Sequence, residues 1–489
     1  MSRGSRGERQ SGGVSRRRFI AAAGASGVTA SLAGCIYSDV ETAGGTTLVR
    51  WGFDAAASRQ VGDEIRALFH EEGGLSKDIR IEFEPGVQDS GARRDQYMRQ
   101  LSGGEDDPDM FLMDSGWTKT FIDRELVLNL TQLLPEGLLK RIQSNYLDPS
   151  LSTATSTDGD LYGVPLFPDF AVIQYRKDLV RNAGFDPDGE NWATEPMTWK
   201  RFADVIARTL EANADDESLR YGHVFQFDAY EGLSCCTFNE FMTSWGGAYF
   251  GGRDNLFGPI GERPITVDTE PVTNAVRMVR SFIYGPDDPH GLDGYRRITP
   301  ESVLSWSEPN THNAMVNGQT VAQRNWPYSI AENAKEENYG TDYGAMPLPY
   351  ATEPSNAQAS GTGGSTSALG GWNITVNPNS TSLDAVTEVI EAAATDEVML
   401  GLFRIWGWLP PNLELLKTQA ARDIEPTGRY ADTLYVAGQN SMPRPVTVLW
   451  PQESSAISGT VNASASRKSA PDTAMTELKN ELRTIEESI

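Results

Sequence analysis

The sequence predicts an α/β protein in which strands and helices alternate along the chain. Between residues 48 and 113 the apolar positions switch between a period of two and a period of about 3.6, in the order strand, helix, strand, helix, strand. The 489 residues suffice for two or three domains that each bury a core. Strands joined by helices pair in parallel with right-handed crossovers, and ligands then bind outside the carboxyl ends of the strands.

The first five elements follow from spacing alone. The strand Leu48–Phe53 ends at Asp54, and the strand 109–113 is followed by Asp114 and Trp117, so the rule above places these three side chains on the binding side. The periodic positions between those strands are Val61, Ile65, Leu68 and Phe69 for the first helix, Ile79, Ile81 and Phe83 for a strand, and Tyr97, Met98 and Leu101 for the second helix.

The second half of the chain predicts larger helices. Thr198 is placed to cap one of them, and Pro271 and Pro471 each stand near the start of another. The segment 351–367 is rich in Gly, Ser and Thr and is predicted to be a loop. The inward positions of the five predicted helices are 202, 205, 206 and 210; 272, 276, 279 and 283; 386, 389 and 390; 398, 402 and 406; and 475, 478, 482 and 485.

The charge balance excludes one large class of partner. The chain has 67 Asp and Glu against 42 Lys and Arg, and residues 35–489 carry a formal charge of −30. Nucleic acid needs a basic surface and is therefore an unsuitable partner. Excess carboxylate with only 9 Lys against 33 Arg is typical of a protein kept soluble in concentrated salt, where self-repulsion is screened. The alternative is an ordinary acidic secreted protein.

The N-terminus predicts export and a lipid anchor. Arg16 and Arg17 form a twin-arginine pair ahead of a short apolar run, Phe19 to Gly34, which fits a signal peptide better than a membrane span. The run ends in Leu-Ala-Gly-Cys35, which resembles a lipobox, with the Cys35 thiol as the site of lipid attachment. The mature protein is then expected to begin at Cys35, outside the cell; the alternative is a chance cysteine after a plain signal peptide.

The other two cysteines, Cys235 and Cys236, are adjacent in the chain. They lack the spacing of a zinc site or a thioredoxin-like redox motif. Because a disulfide between neighbouring residues is strained, we expect two small buried thiol side chains.

The sequence lacks the signature motifs of several enzyme classes. The chain has no Gly-Lys pair, which excludes a P-loop, and no G-x-S-x-G nucleophile motif. Its four His residues are far apart, and its acidic clusters lack the EF-hand spacing, so neither metal nor cofactor is predicted. A glycosidase carboxylate pair cannot be selected among so many acidic residues.

The remaining sequence feature that indicates a function is a set of aromatic residues beside Gly, Pro and single polar groups. A flat ring matches the C–H face of a sugar, and carboxylate or guanidinium groups match its hydroxyl rim. Each aromatic taken alone is more often a core residue. The segments are Trp117, Phe167-Pro168-Asp169, Trp245-Gly246-Gly247, Trp326-Pro327-Tyr328, Gly370-Gly371-Trp372 and Arg444-Pro445.

At these residues the chain resembles the family 1 extracellular solute-binding proteins of ABC importers, the maltose- and trehalose-binding type, in a form similar to haloarchaeal Tat-exported lipoproteins. The likeness spans about residues 48–486. It is carried by the order of five segments: Asp109 to Trp117, Leu161 to Asp169 with Tyr175 to Leu179, Ala314 to Trp326, Gly370 to Val376, and Arg444 to Val446.

The resemblance implies a two-lobed periplasmic-binding-protein-like fold of type II, each lobe a mainly parallel sheet flanked by helices, with three hinge crossings. In this numbering residues 1–34 would be the signal peptide and 35–47 a tether. Lobe 1 would hold 48–166 and 371–408, and lobe 2 would hold 168–348 and 411–489.

The resemblance also implies the site and the partners. Its ligand contacts map to Asp114, Trp117, Asp169, Trp326, Trp372 and Arg444. The chain departs from the family pattern at Asn412, where many members have a basic residue, and at Phe167, where sugar binders often have Tyr. The implied protein is a monomer that carries no catalytic residue, binds a di- or oligosaccharide between its lobes, and delivers it to a membrane permease.

Two other classes remain open from the sequence. A secreted glycoside hydrolase would release products from oligosaccharides, and a structural cell-surface protein would show no ligand-dependent change in melting temperature. Within the binding class, peptide, polyamine or glycerol-phosphate ligands also remain open, although a phosphate ester would favour more basic residues.

Overall fold

The computed structural model describes residues 45–87, 90–357 and 361–488. The predicted signal peptide, the lipid-attachment residue Cys35 and the export pair Arg16 and Arg17 lie outside these residues. Within the described ranges, no helix has the length and apolar character needed to cross a bilayer.

In the part of the chain that the structure describes, ten strands form two sheets. In chain order they are β1 (Thr47–Phe53), β2 (Ile79–Pro85), β3 (Met110–Asp114), β4 (Gly163–Phe170), β5 (Val172–Arg176), β6 (Tyr221–Val224), β7 (Thr320–Asn325), β8 (Tyr343–Met346), β9 (Ser367–Val376) and β10 (Ser441–Met442).

The first sheet has the order β10-β9-β3-β1-β2, and β4 also pairs with β9. Strand β1 lies parallel to both β2 and β3, with Val49 opposite Ile81 and Trp51 opposite Met110. This confirms the parallel pairing predicted for the first three strands. Strand β9, which arrives from far along the chain, runs antiparallel to both β3 and β4.

The second sheet has the order β6-β7-β5-β8 and is not mainly parallel. Only β6 and β7 run parallel, whereas β5 is antiparallel to both β7 and β8. The physical reason is that β5 follows β4 after the single residue Ala171, so the chain passes straight from one sheet into the other. The parallel rule applies to strands joined by a helical crossover, and β5 is not one of them.

The α-helices surround these sheets. They are α1 (Ala55–Gln60), α2 (Gly62–Glu71), α3 (Ser90–Ser102), α4 (Thr118–Asp123), α5 (Leu130–Leu133), α6 (Glu136–Asn145), α7 (Asp148–Ser152), α8 (Lys177–Asn182), α9 (Trp199–Ala212), α10 (Phe238–Ser244), α11 (Glu270–Tyr284), α12 (Glu308–Val316), α13 (Pro327–Asn333), α14 (Leu383–Ala393), α15 (Asp396–Trp406), α16 (Gln419–Arg422), α17 (Ala431–Gln439), α18 (Trp450–Ala465) and α19 (Pro471–Glu486).

The predicted helices are present as α9, α11, α14, α15 and α19. The Thr198 hydroxyl accepts a hydrogen bond from the Arg201 N–H at 3.2 Å, which confirms the predicted cap of α9. The first predicted helix is divided in two, because α1 ends at Gln60 and α2 begins at Gly62. Asp54 caps α1 by accepting hydrogen bonds from the Ala56 and Ala57 N–H groups at 2.9 Å.

Two large hydrophobic cores accompany the two sheets. The first is built by residues between 49 and 167 and between 374 and 415. The second is built mainly by residues between 173 and 348 and between 450 and 482. A third cluster packs Leu434 of α17 against Phe170, Val172 and Leu369, where the two sheets meet.

Cys235 and Cys236 differ from the prediction. Both are buried as expected, but they are joined by a disulfide rather than left as thiols. They lie within the five-residue π-helical turn Leu233–Thr237, which runs directly into α10. The predicted loop is confirmed, since residues 351–357 and 361–366 contain no strand and no α-helix.

Candidate functional site

Strand β9 brings distant parts of the chain together at the edge where β3 ends. Trp372 on β9 lies opposite Asp114 of β3 on one side and opposite Phe167 of β4 on the other. Two residues earlier, Gly370 pairs with Asp169. Three of the six predicted ligand contacts therefore come from neighbouring strands.

Gly371 makes this arrangement possible. Its φ of +114° favours glycine, and a Cβ atom there would come within 2.4 Å of the Phe167 carbonyl oxygen. The Gly371 carbonyl accepts a hydrogen bond from the Ser115 N–H at 2.9 Å, so the turn after β3 is fastened to β9. The Gly-Gly-Trp motif thus holds Trp372 next to Asp114.

Arg444 joins two carboxylates from different parts of the fold. Its Nη2 lies 3.3 Å from Asp114 Oδ1, and its Nη1 lies 3.3 Å from Glu231 Oε1. The guanidinium is buried and packs against Gly116, where a Cβ atom would stand 2.1 Å from Nη1. Burial raises the pKa of Glu231, and the Arg444 charge opposes that rise. Glu231 was not predicted from the sequence.

Asp114 is held in place by its own turn. Its Oδ1 accepts a hydrogen bond from the Gly116 N–H at 2.6 Å, and its Oδ2 accepts one from the Ser90 hydroxyl at 3.1 Å. With Arg444 as a third partner, the carboxylate has a fixed orientation.

Trp372 is partly exposed, and one face of its ring is covered. The Arg93 guanidinium, which is fully buried, lies over the ring at 4.6 Å from its centre. Arg93 Nη2 is 3.3 Å from Asp54 Oδ2, and its Nε donates to the Val87 carbonyl. Arg93 was not predicted as a site residue.

Trp117 is a buried residue that packs against Trp372 and does not face solvent. Only 2% of its surface is exposed, and it packs with Phe121 and Tyr97 in a small hydrophobic cluster. Its indole N–H donates to the Ser90 hydroxyl at 3.0 Å, and its ring meets Trp372 edge-on at 88°. In this conformation Trp117 supports Trp372 and offers almost no surface to a ligand.

Trp326 directly follows β7, the last residue of which is Asn325. It directly precedes α13 and is partly exposed, while the Arg324 guanidinium lies 4.2 Å from its ring centre. Arg324 is buried and is held by Glu240, with Nε–Oε2 and Nη2–Oε1 distances of 2.9 and 2.6 Å. The Trp326 backbone is fixed on both sides by hydrogen bonds with Asn325 and Gln174.

Asp169 and Trp326 meet at Gly370. A Cβ atom on Gly370 would lie 3.4 Å from Asp169 Cβ and 3.5 Å from the rim of the Trp326 ring. Burial raises the pKa of Asp169 to about 7, the charge of Asp114 adds to the rise, and Arg324 and the Phe170 N–H oppose it. The Asp169 carboxyl group can therefore accept or donate a hydrogen bond near neutral pH.

The two residues that depart from the family pattern, Phe167 and Asn412, both have structural roles in this fold. Phe167 is buried and stacks on Trp408, with ring centres 4.2 Å apart, so its ring serves the first core. The Asn412 side chain accepts a hydrogen bond from the Glu414 N–H and caps a short turn. Across the described residues, no group of three His, Cys, Asp or Glu side chains is placed to hold a metal ion.

Comparisons with known proteins identify a family and a related sequence. Residues 56–400 match the family model described as bacterial extracellular solute-binding protein. A protein of Deinococcus radiodurans named as a probable ABC transporter-binding protein is 26% identical over 404 residues, which are 81% of this chain and 84% of that protein.

Solved structures show the same fold. Maltose-bound MalE3 of T. maritima has a TM-score of 0.72 and 23% identity, and the match covers 90% of this chain and all of that one. The GacH receptor of Streptomyces glaucescens, solved without ligand and with acarbose, has a TM-score of 0.68 and 18% identity, covering 91% of this chain and 99% of the receptor.

Proposed function

This chain belongs to the bacterial extracellular solute-binding protein family, and from that premise we propose that its ligand is a sugar, bound between two lobes. As a family member it is a solute-binding protein of an ABC importer and not an enzyme, so the glycoside-hydrolase and structural-protein alternatives are set aside. The family also places the protein outside the cytoplasm.

The pair of partly exposed tryptophans is the observation that carries the sugar proposal. Trp372 stands on the first sheet and Trp326 at the start of α13 on the second, each with one face covered by a buried guanidinium. Asp114 and Asp169 lie near these rings, and Arg444 contacts Asp114. Flat rings with carboxylate and guanidinium groups match the apolar face and the hydroxyl rim of a pyranose.

The same charges argue against a phosphate ester. Arg93, Arg324 and Arg444 are each already paired with a carboxylate. A phosphate would have to compete with those carboxylates, whereas sugar hydroxyls can donate to them and accept from the guanidinium groups. A neutral di- or oligosaccharide therefore fits the site better than a glycerol phosphate.

We propose two lobes that correspond in outline to the two cores, although Leu415 of the first core lies beyond the bounds of lobe 1. Lobe 1 would hold residues 48–166 and 371–408, and lobe 2 residues 168–348 and 411–489. Closure around the sugar would bury its hydroxyls, and the ligand would shift the open–closed equilibrium by its differential affinity for the two states. The closed protein, as a monomer, would then dock on the permease.

A thermal-shift screen of sugars tests the proposal. We expect at least one di- or oligosaccharide to raise the melting temperature, since ligand at 100 times its Kd adds about 2.7 kcal/mol to stability. Amino acids, spermidine and glycerol 3-phosphate serve as controls. A shift with one of these and with none of the sugars would contradict the sugar assignment.

We also propose that Cys35 carries a lipid and that Arg16 and Arg17 direct export. The support is the order of the arginine pair, a short apolar run and Leu-Ala-Gly-Cys35. Cys35→Ser is expected to release the protein from the membrane fraction into the medium, as measured by cell fractionation. Equal membrane association of variant and wild type would refute the anchor.

Adaptation to concentrated salt is proposed from the charge. Residues 35–489 carry −30, and only 9 of the chain's 42 basic residues are Lys. Without screening, the repulsion among carboxylates should expand or unfold the chain. Circular dichroism during dialysis from molar to millimolar salt is expected to show loss of native signal, and an unchanged spectrum would contradict this proposal.

A further inference from the structure

The indole rings of Trp372 and Trp326, which we propose to stack on the sugar, share a further structural feature. Each is covered on one face by an arginine that is almost wholly inaccessible, with Arg93 0% and Arg324 1% exposed. The distances from guanidinium carbon to ring centre are 4.6 Å for Trp372 and 4.2 Å for Trp326. Because a buried guanidinium covers one face of each ring, that face is not the part through which the partly exposed ring can be reached.

Each arginine is itself fixed by a carboxylate within its own half of the fold. Arg93 pairs with Asp54, which also caps α1, and Arg324 pairs with Glu240 of α10. The Arg93–Asp54 and Arg324–Glu240 ion pairs each lie within one half of the fold, and Glu240 also accepts a hydrogen bond from the Ala368 N–H of β9 at 3.0 Å. Each guanidinium is therefore held in place by partners other than the ring it covers.

We propose that Arg93 and Arg324 are positioning residues, each of which holds one ligand-facing tryptophan ring at a fixed angle before the sugar arrives. The inference rests on the proposed sugar-binding function and names two residues that act through the rings. A planar guanidinium held by a carboxylate is a rigid surface, and its attraction to the ring restricts rotation of the indole. A ring that is already fixed loses less freedom on binding, so affinity is higher.

On the first sheet the single variant Arg93→Met tests the proposal. It does not leave Asp54 as a buried, unpaired charge, because Asp54 keeps its two backbone hydrogen bonds and is partly exposed. We expect sugar affinity to fall roughly three- to tenfold, which is the range expected for one side chain that must be ordered on binding. Arg93→Lys should restore part of the loss. Arg66→Met is the matched control, since Arg66 lies over Phe83 of the first core at 5.2 Å.

On the second sheet the test requires a paired change, because loss of Arg324 alone leaves Glu240 buried and uncompensated. The double variant Arg324→Met with Glu240→Gln keeps an acceptor for the Ala368 N–H. We expect a similar three- to tenfold loss. Arg208→Met, which removes a guanidinium 5.0 Å from the Phe185 ring, is its control.

A double-mutant cycle separates positioning from a general structural role. If Arg93 acts through the Trp372 ring, Arg93→Met should weaken binding in the wild-type background and change it less than twofold in a Trp372→Ala background. Equal losses in both backgrounds would overturn the proposal, as would full affinity in Arg93→Met.

A second measurement needs no ligand and so separates this inference from the sugar proposal. In protein labelled with 5-fluorotryptophan, the Trp372 fluorine signal is identified by its loss in Trp372→Phe. Arg93→Met should shift and broaden that signal, while Arg66→Met should leave it unchanged. If no sugar binds the wild type, the proposed function fails; an unchanged signal in Arg93→Met overturns the positioning role whatever the ligand is.

Discussion

Replacement of Arg444 by glutamine is expected to weaken sugar binding about 100-fold, because truncating one partner of a buried charge pair costs about 2–5 kcal/mol. Arg444 stands between Asp114 and Glu231, 3.3 Å from an oxygen of each. Glutamine removes the cation that lies between these two carboxylates, so their repulsion opposes closure around the ligand. Glutamine also removes a donor to the sugar hydroxyls. Isothermal calorimetry on the folded variant measures the change.

The control for this prediction is Arg277→Gln, which removes a more exposed ion pair with Asp472 and should leave the affinity unchanged within twofold. Gly116→Ala tests the position of the Arg444 guanidinium without changing Arg444 itself. The added Cβ would stand 2.1 Å from Arg444 Nη1 and displace the guanidinium. Gly137→Ala, where a Cβ meets nothing within 4 Å, is the matched control. A Kd within threefold of wild type for Arg444→Gln would contradict the assignment.

The fold could be predicted wherever neighbouring residues determine it. The strands β1, β2 and β3 and the helices between them follow from periods of two and 3.6 in the sequence, and their parallel order follows from the helical connections. The insertion of β9 between β3 and β4 could not be derived in this way. Its pairing joins Asp114 to Trp372 across more than 250 residues, and no local pattern encodes that register.

The site was predicted less completely, for a related reason. Trp117 and Trp372 both stand beside glycines, so their sequence surroundings are alike. The difference between them is set by α3, whose Ser90 binds the Trp117 indole and whose Arg93 covers one face of Trp372. Glu231 was missed because its importance depends on Arg444, more than 200 residues away.

The disulfide was missed for a different reason. The expectation for Cys235 and Cys236 was based on the cost of linking neighbouring residues in regular backbone. The π-helical turn Leu233–Thr237 supplies a local backbone that the sequence pattern did not reveal.

Two neighbouring tryptophans, Trp372 and Trp117, allow a direct comparison of a proposed ligand contact with a buried residue. Trp372→Ala is expected to weaken sugar binding tenfold or more, because we propose that its partly exposed ring stacks on the sugar. Trp117→Ala is expected to lower the free energy of unfolding by about 3–5 kcal/mol, the usual cost of removing a large aromatic side chain from a core. Trp117 is 2% exposed and donates to Ser90, so its loss leaves a cavity and removes one hydrogen bond from the Ser90 hydroxyl, which still donates to Asp114.

Each variant is the control for the other, because the rings meet at 88° with centres 6.0 Å apart. Calorimetric affinity and the unfolding midpoint without ligand are measured for both. The prediction is a large change in affinity with a small change in midpoint for Trp372→Ala, and a large change in midpoint for Trp117→Ala. A collapsed midpoint in Trp372→Ala, with unchanged affinity in its folded fraction, would place that ring in the core. Of the two rings proposed to stack on the sugar, that of Trp326 would then remain, partly exposed and with the buried Arg324 guanidinium over one face.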